Sequence, residues 1–146
     1  MRIHGASSMN PDAIAAVLVE CGYREVPNAW SSIKNIARND KRKARCFRSP
    51  NAARFLYLKV KPQDHSAPIV WPVVISPDDC ELARASASAE IQFGSDFTFG
   101  SMYGRFPKRR RNGDKDEHFG LALSTDDPRA LRAFLTAFDR IAAAAA

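Results

Sequence analysis

HFGLALSTDDPRALRAFLTAFDRI, residues 118–141, changes its hydrophobic period halfway along. Before Ser124 the apolar residues Phe119, Leu121 and Leu123 recur at every second position, so they share one face of a strand. After Asp127 the spacing widens, and Leu131, Phe134, Leu135, Phe138 and Ile141 make the apolar stripe of a helix. Asp127 supplies the cap and Pro128 the first helical position, where a missing N–H costs nothing. A strand feeding straight into an amphipathic helix points to a sheet with helices layered on it.

The other end of the chain repeats the signature. Asn10-Pro11 is a cap with a first-turn proline, and Ile14, Val17, Leu18 and Cys21 follow at helical spacing before Gly22. Between these helices the pattern is one of strands. Residues 43–48 and 54–61 alternate, separated by the turn residues Ser49-Pro50-Asn51, which predicts a hairpin. In its second strand Leu56, Leu58 and Val60 take the face that meets the helices, leaving Phe55, Tyr57, Lys59 and Lys61 on the other. The run from Ile69 to Ser76 is apolar on both faces and reads as a third strand, edge-lying or bulged because Pro72 lacks a ladder donor. Pro77-Asp78-Asp79 opens a short helix through Cys80, Leu82 and Ala83. Phe93, Phe97, Phe99, Tyr103 and Phe106 are punctuated by Gly94, Gly100 and Gly104, the pattern of bent or bulged strands. A further short helix, capped near Asn28, would align Trp30, Ile33, Ile36 and Ala37.

The expected class is α+β: a single antiparallel sheet, open to strong bending in its glycine-punctuated part, with the N-terminal and C-terminal helices packed on one face. The 146 residues show no repeat and no Ser/Gly linker, so one domain spans 1–146, with 142–146 as a disordered tail. With 45% hydrophobic and 10% aromatic residues the chain has the make-up of a folded globular protein. No apolar stretch nears the roughly 20 residues of a membrane helix. The opening Met1-Arg2-Ile3-His4-Gly5 lacks a secretory apolar region, so a cytoplasmic protein is expected.

Charge is where the sequence is uneven. The formal net charge is +6, but Arg38, Lys41, Arg42, Lys43, Arg45 and Arg48 face one acid, Asp40, within eleven residues. Arg105, Lys108, Arg109, Arg110, Arg111 and Lys115 likewise face only Asp114. Positive charge gathered into two short segments of an otherwise acidic chain is the footprint of a polyanion contact. A solvated loop, charged to keep a sheet edge from pairing, has the same composition.

Catalytic patterns are absent by comparison. His4, His65 and His118 are far apart with no metal-ligand spacing, and Cys21, Cys46 and Cys80 fit neither a disulfide framework nor a zinc site. The glycines build neither a P-loop nor a dinucleotide turn. No catalytic residue, cofactor or metal ligand is therefore expected. Asp78 and Glu90-Ile91-Gln92 distantly resemble the acidic pair of Mg²⁺-dependent nucleases, with Gln92 where those sites carry lysine.

The expectation for function is a small non-enzymatic binding protein whose basic clusters contact an anionic partner, nucleic acid or a nucleoprotein complex. Its contact residues would be Lys41, Arg42, Lys43 and Arg45 from the first cluster and Arg105, Lys108, Arg109, Arg110 and Arg111 from the second, with Lys108 to Arg111 as a mobile arm. Tyr103 would stack bases beside them. The alternatives are a protein-interaction module or homo-oligomer with no nucleic-acid role, and a nuclease using Asp78 and Glu90.

Overall fold

The computed structural model describes residues 9–27, 43–61, 64, 67–111, 113 and 115–145. Helix α1 (Pro11–Glu20) starts where Asn10 Oδ1 accepts the Ala13 amide at 2.8 Å, and the chain leaves it through Gly22 at φ +86°. Then come β1 (Arg24–Val26), β2 (Ala44–Arg48), β3 (Phe55–Lys59) and β4 (Val73–Ile75). A 3₁₀ turn over Pro77–Asp79 leads into α2 (Cys80–Ser86). Strands β5 (Gln92–Phe93), β6 (Thr98–Phe99), β7 (Lys108–Arg110) and β8 (Asp116–Ser124) precede the long terminal helix α3 (Pro128–Ala145).

All eight strands join one open antiparallel sheet in the order β1-β2-β3-β4-β8-β5, with β6 and β7 also paired to β8. The nine-residue β8 is the spine: β4 pairs with Leu121–Leu123, β6 with Phe119 and Gly120, and β7 with Asp116, Glu117 and His118. The helices lie on one face of the sheet. Ile14, Val17 and Leu18 of α1 and Leu131, Phe134, Leu135 and Phe138 of α3 cluster with Phe47, Leu56, Leu58, Val73, Ile75, Leu121 and Leu123. Two polar contacts fix α3 to this layer. The Tyr23 hydroxyl donates to the Leu135 carbonyl at 2.8 Å, and Asp139 accepts the Asn51 and Ala52 amides at 3.0 and 2.9 Å.

The opposite face is covered by chain rather than by helix. Tyr103 and Phe106, from the connection between β6 and β7, cluster with Cys46, Tyr57, Val74 and Ala122. Tyr57 meets the two rings edge-on, with centroids 5.3 and 4.9 Å away, and its hydroxyl accepts the Arg105 amide at 3.0 Å. This close cover depends on Gly120, where a Cβ would lie 2.6 Å from the Ile75 carbonyl oxygen and 3.1 Å from the Phe106 ring.

Four details differ from the sequence-based expectation. Pro72 sits outside β4, which runs through the middle of the sheet, and its carbonyl accepts the Lys59 amide at 2.7 Å, so the ladder never needs its missing N–H. Lys108, Arg109 and Arg110 form a strand rather than a mobile arm, because β8 extends back to Asp116 and pairs with them. The short β1 has too few residues to show a period. Helix α3 runs on to Ala145, one turn past the start expected for the tail, and Ala142 is fully buried. The helix expected near Asn28 lies outside the described residues.

Candidate nucleic-acid interface

The residues nominated for contact with a polyanion fall into three groups. The first is structural. Arg45, alternating toward α1, makes a two-pronged contact with Glu25 at 2.8 and 3.2 Å and comes within 4.0 Å of Asp12. Arg105 donates Nε to the Pro27 carbonyl at 3.2 Å and lays its guanidinium 4.4 Å from the Phe55 ring centroid. Both guanidiniums are engaged in pinning the sheet edge and the covering loop. Tyr103 is a correction of a different kind: it is 1% exposed and belongs to the aromatic cover, as does Tyr57 at 0%, so neither ring is open to a base. Burial also raises the Tyr103 hydroxyl above its ordinary pKa.

The second group is the β7–β8 hairpin. Lys108, Arg109 and Arg110 are all exposed, in register with His118, Glu117 and Asp116. Arg111 pairs with Glu117 at 3.0 Å, so Glu117 engages that neighbour rather than Arg109. None of Lys108, Arg109 and Arg110 makes an ion pair among the described residues. Side-chain alternation puts Lys108 and Arg110 on one face of the ribbon and Arg109 on the other. There the Arg109 guanidinium lies 5.0, 5.8 and 5.1 Å from the centroids of Phe97, Phe99 and Phe119. Stacked in this way, it keeps its charge and outward donors while losing much of its freedom. His118 is held behind the ribbon, its Nδ1 donating to the Phe106 carbonyl at 2.7 Å.

The third group is Lys43. It lines a cleft of about 300 Å³ with Lys59, Lys61, Thr98, Phe99 and Tyr103. Lys59 and Lys61 were not among the nominated residues, although their place on the face away from the helices was readable from the alternation of β3. Phe99 was missed as well: it lines this cleft and lies under the guanidiniums of both Arg109 and Arg111. Lys41 and Arg42 lie outside the described residues. Between α2 and β7, Arg84 and Arg109 line a second cleft of about 480 Å³, where Asp96 offsets part of their charge.

The carboxylates and thiols present no comparable site. Asp78 is exposed in the 3₁₀ turn, its amide donating to Ser76 Oγ at 3.3 Å, and Glu90 is exposed beyond the far end of α2. Asp79 is buried 3.3 Å from Arg54, and burial lifts its carboxyl despite that arginine. No three His, Cys, Asp or Glu side chains come together to hold a metal ion among the described residues. Burial raises all three thiols, Cys46 to about 11, which leaves none activated as a thiolate at neutral pH. No helix among the described residues is long and apolar enough to cross a membrane.

Comparison with protein-family models, with curated proteins and with solved structures gave no match.

Proposed function

We propose that this protein is a non-enzymatic cytoplasmic binder of nucleic acid, free or within a nucleoprotein complex, and that the β7–β8 hairpin makes the contact. One observation carries this reading: Lys108, Arg109 and Arg110 are consecutive, exposed and unpaired with carboxylates among the described residues, whereas Arg45, Arg105 and Arg111 are engaged within the fold. A two-stranded antiparallel ribbon has the width that the major groove of a duplex admits. Lys108 and Arg110, on one face, would neutralise phosphates and release counterions, and Arg109 would stay preorganised on its aromatic bed. Such contacts position a protein on a backbone and carry no base sequence by themselves.

Fluorescence anisotropy with single- and double-stranded DNA and RNA tests the proposal. Replacing Lys108, Arg109 and Arg110 together by alanine is expected to weaken binding to every nucleic acid that binds, with the melting temperature lowered by no more than a few degrees through loss of the Arg109 stack. Equal affinity of the variant and the parent, or no binding of the parent even at low salt, would overturn it.

A further inference from the structure

Arg84 of α2 and Arg109 of β7 line one cleft of about 480 Å³, and each guanidinium is held in place by aromatic rings. Arg84 lies 5.0 Å from the Phe93 centroid, and Arg109 rests on Phe97, Phe99 and Phe119. Stacking occupies the face of a guanidinium and leaves its in-plane N–H donors free to bond elsewhere. Here those donors have no protein acceptor. Neither arginine makes an ion pair or a side-chain hydrogen bond among the described residues, whereas Arg45, Arg54, Arg111 and Arg132 each meet a carboxylate. Asp96 lines the same cleft and pairs with neither of them.

A break in the edge of the sheet builds this arrangement. The Gly94 amide bonds the Ala122 carbonyl at 2.8 Å, and Thr98 is in register with Gly120, so Ser95, Asp96 and Phe97 stand opposite Leu121 alone. A bulge of this kind bends a strand and re-aims its side chains. It brings Phe97 against Arg109 and leaves Phe97, Phe99 and Leu121 as the apolar lining of the cleft. It also interrupts the ladder that an extended peptide would need in order to add a strand here, which favours a compact ligand. Two arginines against one aspartate leave a formal charge of +1, because burial raises the Cys80 thiol and keeps it neutral.

We propose that this cleft binds a small apolar monocarboxylate, its carboxylate received by Arg84 and Arg109 and its hydrocarbon body by Phe97, Phe99 and Leu121. A planar carboxylate matches the fork of a guanidinium with two parallel bonds. A dianionic phosphoryl group would instead bring a second negative charge up to Asp96. The volume is within the range of sites that enclose small ligands. This inference stands apart from the nucleic-acid reading, since Arg109 leaves the ribbon on the face opposite Lys108 and Arg110.

Heteronuclear NMR titration of the full chain tests it, with benzoate and phenylacetate as probes and benzamide and phenyl phosphate as controls. Either carboxylate is expected to shift the amides of residues 80–84 and 94–97 saturably, with benzamide inert and phenyl phosphate weaker. Arg84→Gln, at an exposed helix position that does not threaten folding, should weaken the carboxylate about tenfold. Arg84→Lys, which keeps the charge and loses the fork, should weaken it severalfold. Asp96→Asn should tighten phenyl phosphate more than benzoate. The Lys108→Ala, Arg110→Ala double variant should bind the carboxylate like the parent, so failure of this site is distinguishable from failure of the hairpin. No saturable shift with either carboxylate, benzamide binding as well as benzoate, phenyl phosphate binding more tightly, or unchanged affinity in Arg84→Gln would overturn the proposal.

Discussion

Gly120 and Ala53 show how single residues set the shape on which the site is built. At Gly120 a methyl group would meet the Ile75 backbone oxygen at 2.6 Å, a partner that cannot rotate away. Gly120→Ala is therefore expected to cost about 1–3 kcal/mol, the usual penalty of overpacking, read as a lower urea midpoint at unchanged slope. Ala53, in the turn between β2 and β3, holds φ at 55°, a left-handed conformation that an L side chain disfavours by roughly 1–2 kcal/mol. Glycine removes that strain but gives up about half of the gain in backbone entropy, so Ala53→Gly should stabilise by up to about 1 kcal/mol in the same assay. Neither position announces itself in the sequence. Gly120 interrupts a good strand pattern, and nothing about Pro50-Asn51-Ala52-Ala53 says which residue turns left-handed.

Strands and helices are joined by a few polar clamps, and one of them ties α3 to the β2–β3 turn. Asp139 is buried and accepts the Asn51 and Ala52 amides and the Asn51 side chain, the last at 2.7 Å. Burial alone would raise its carboxyl, but these bonds, with one from Ser49, hold it below the ordinary aspartate value. A depressed folded pKa means the contribution is complete above the unfolded value near pH 4 and is lost as pH falls through the lower folded value. Asp139→Asn should cost about 2–3 kcal/mol at neutral pH and flatten the acid limb of the stability curve, measured by denaturant melts across pH. The same scale explains what the sequence conveyed. Helices α1 and α3 were legible because cap, proline and apolar stripe coincide, and the faces of β3 because its alternation is regular. Strand β7 was not, since the basic run from Lys108 to Arg111 carries no hydrophobic period, and its first three residues become a strand only by pairing with β8.

The molecule as a whole places its helices on one side of the sheet and an aromatic cover on the other, and this division decides which charges remain for a partner. Sequence counted ten contact residues, and the fold sorts them: Arg45 and Arg105 serve the scaffold, Tyr103 the core, and Arg111 pairs with Glu117. That sorting depends on strand parity and on carboxylates distant in the chain, as with Arg45 and Glu25, so a count of local charge cannot reveal it. The cleft at the end of β3 escaped for the converse reason, because Lys43 comes beside Val60, and so near Lys59 and Lys61, only through the pairing of β2 with β3. If Lys108 and Arg110 each neutralise one phosphate, losing both removes that many counterion releases. The slope of log K against log salt for duplex DNA should then fall by about 2 between the parent and the triple alanine variant. Parallel lines for the two proteins across the salt range would contradict the account.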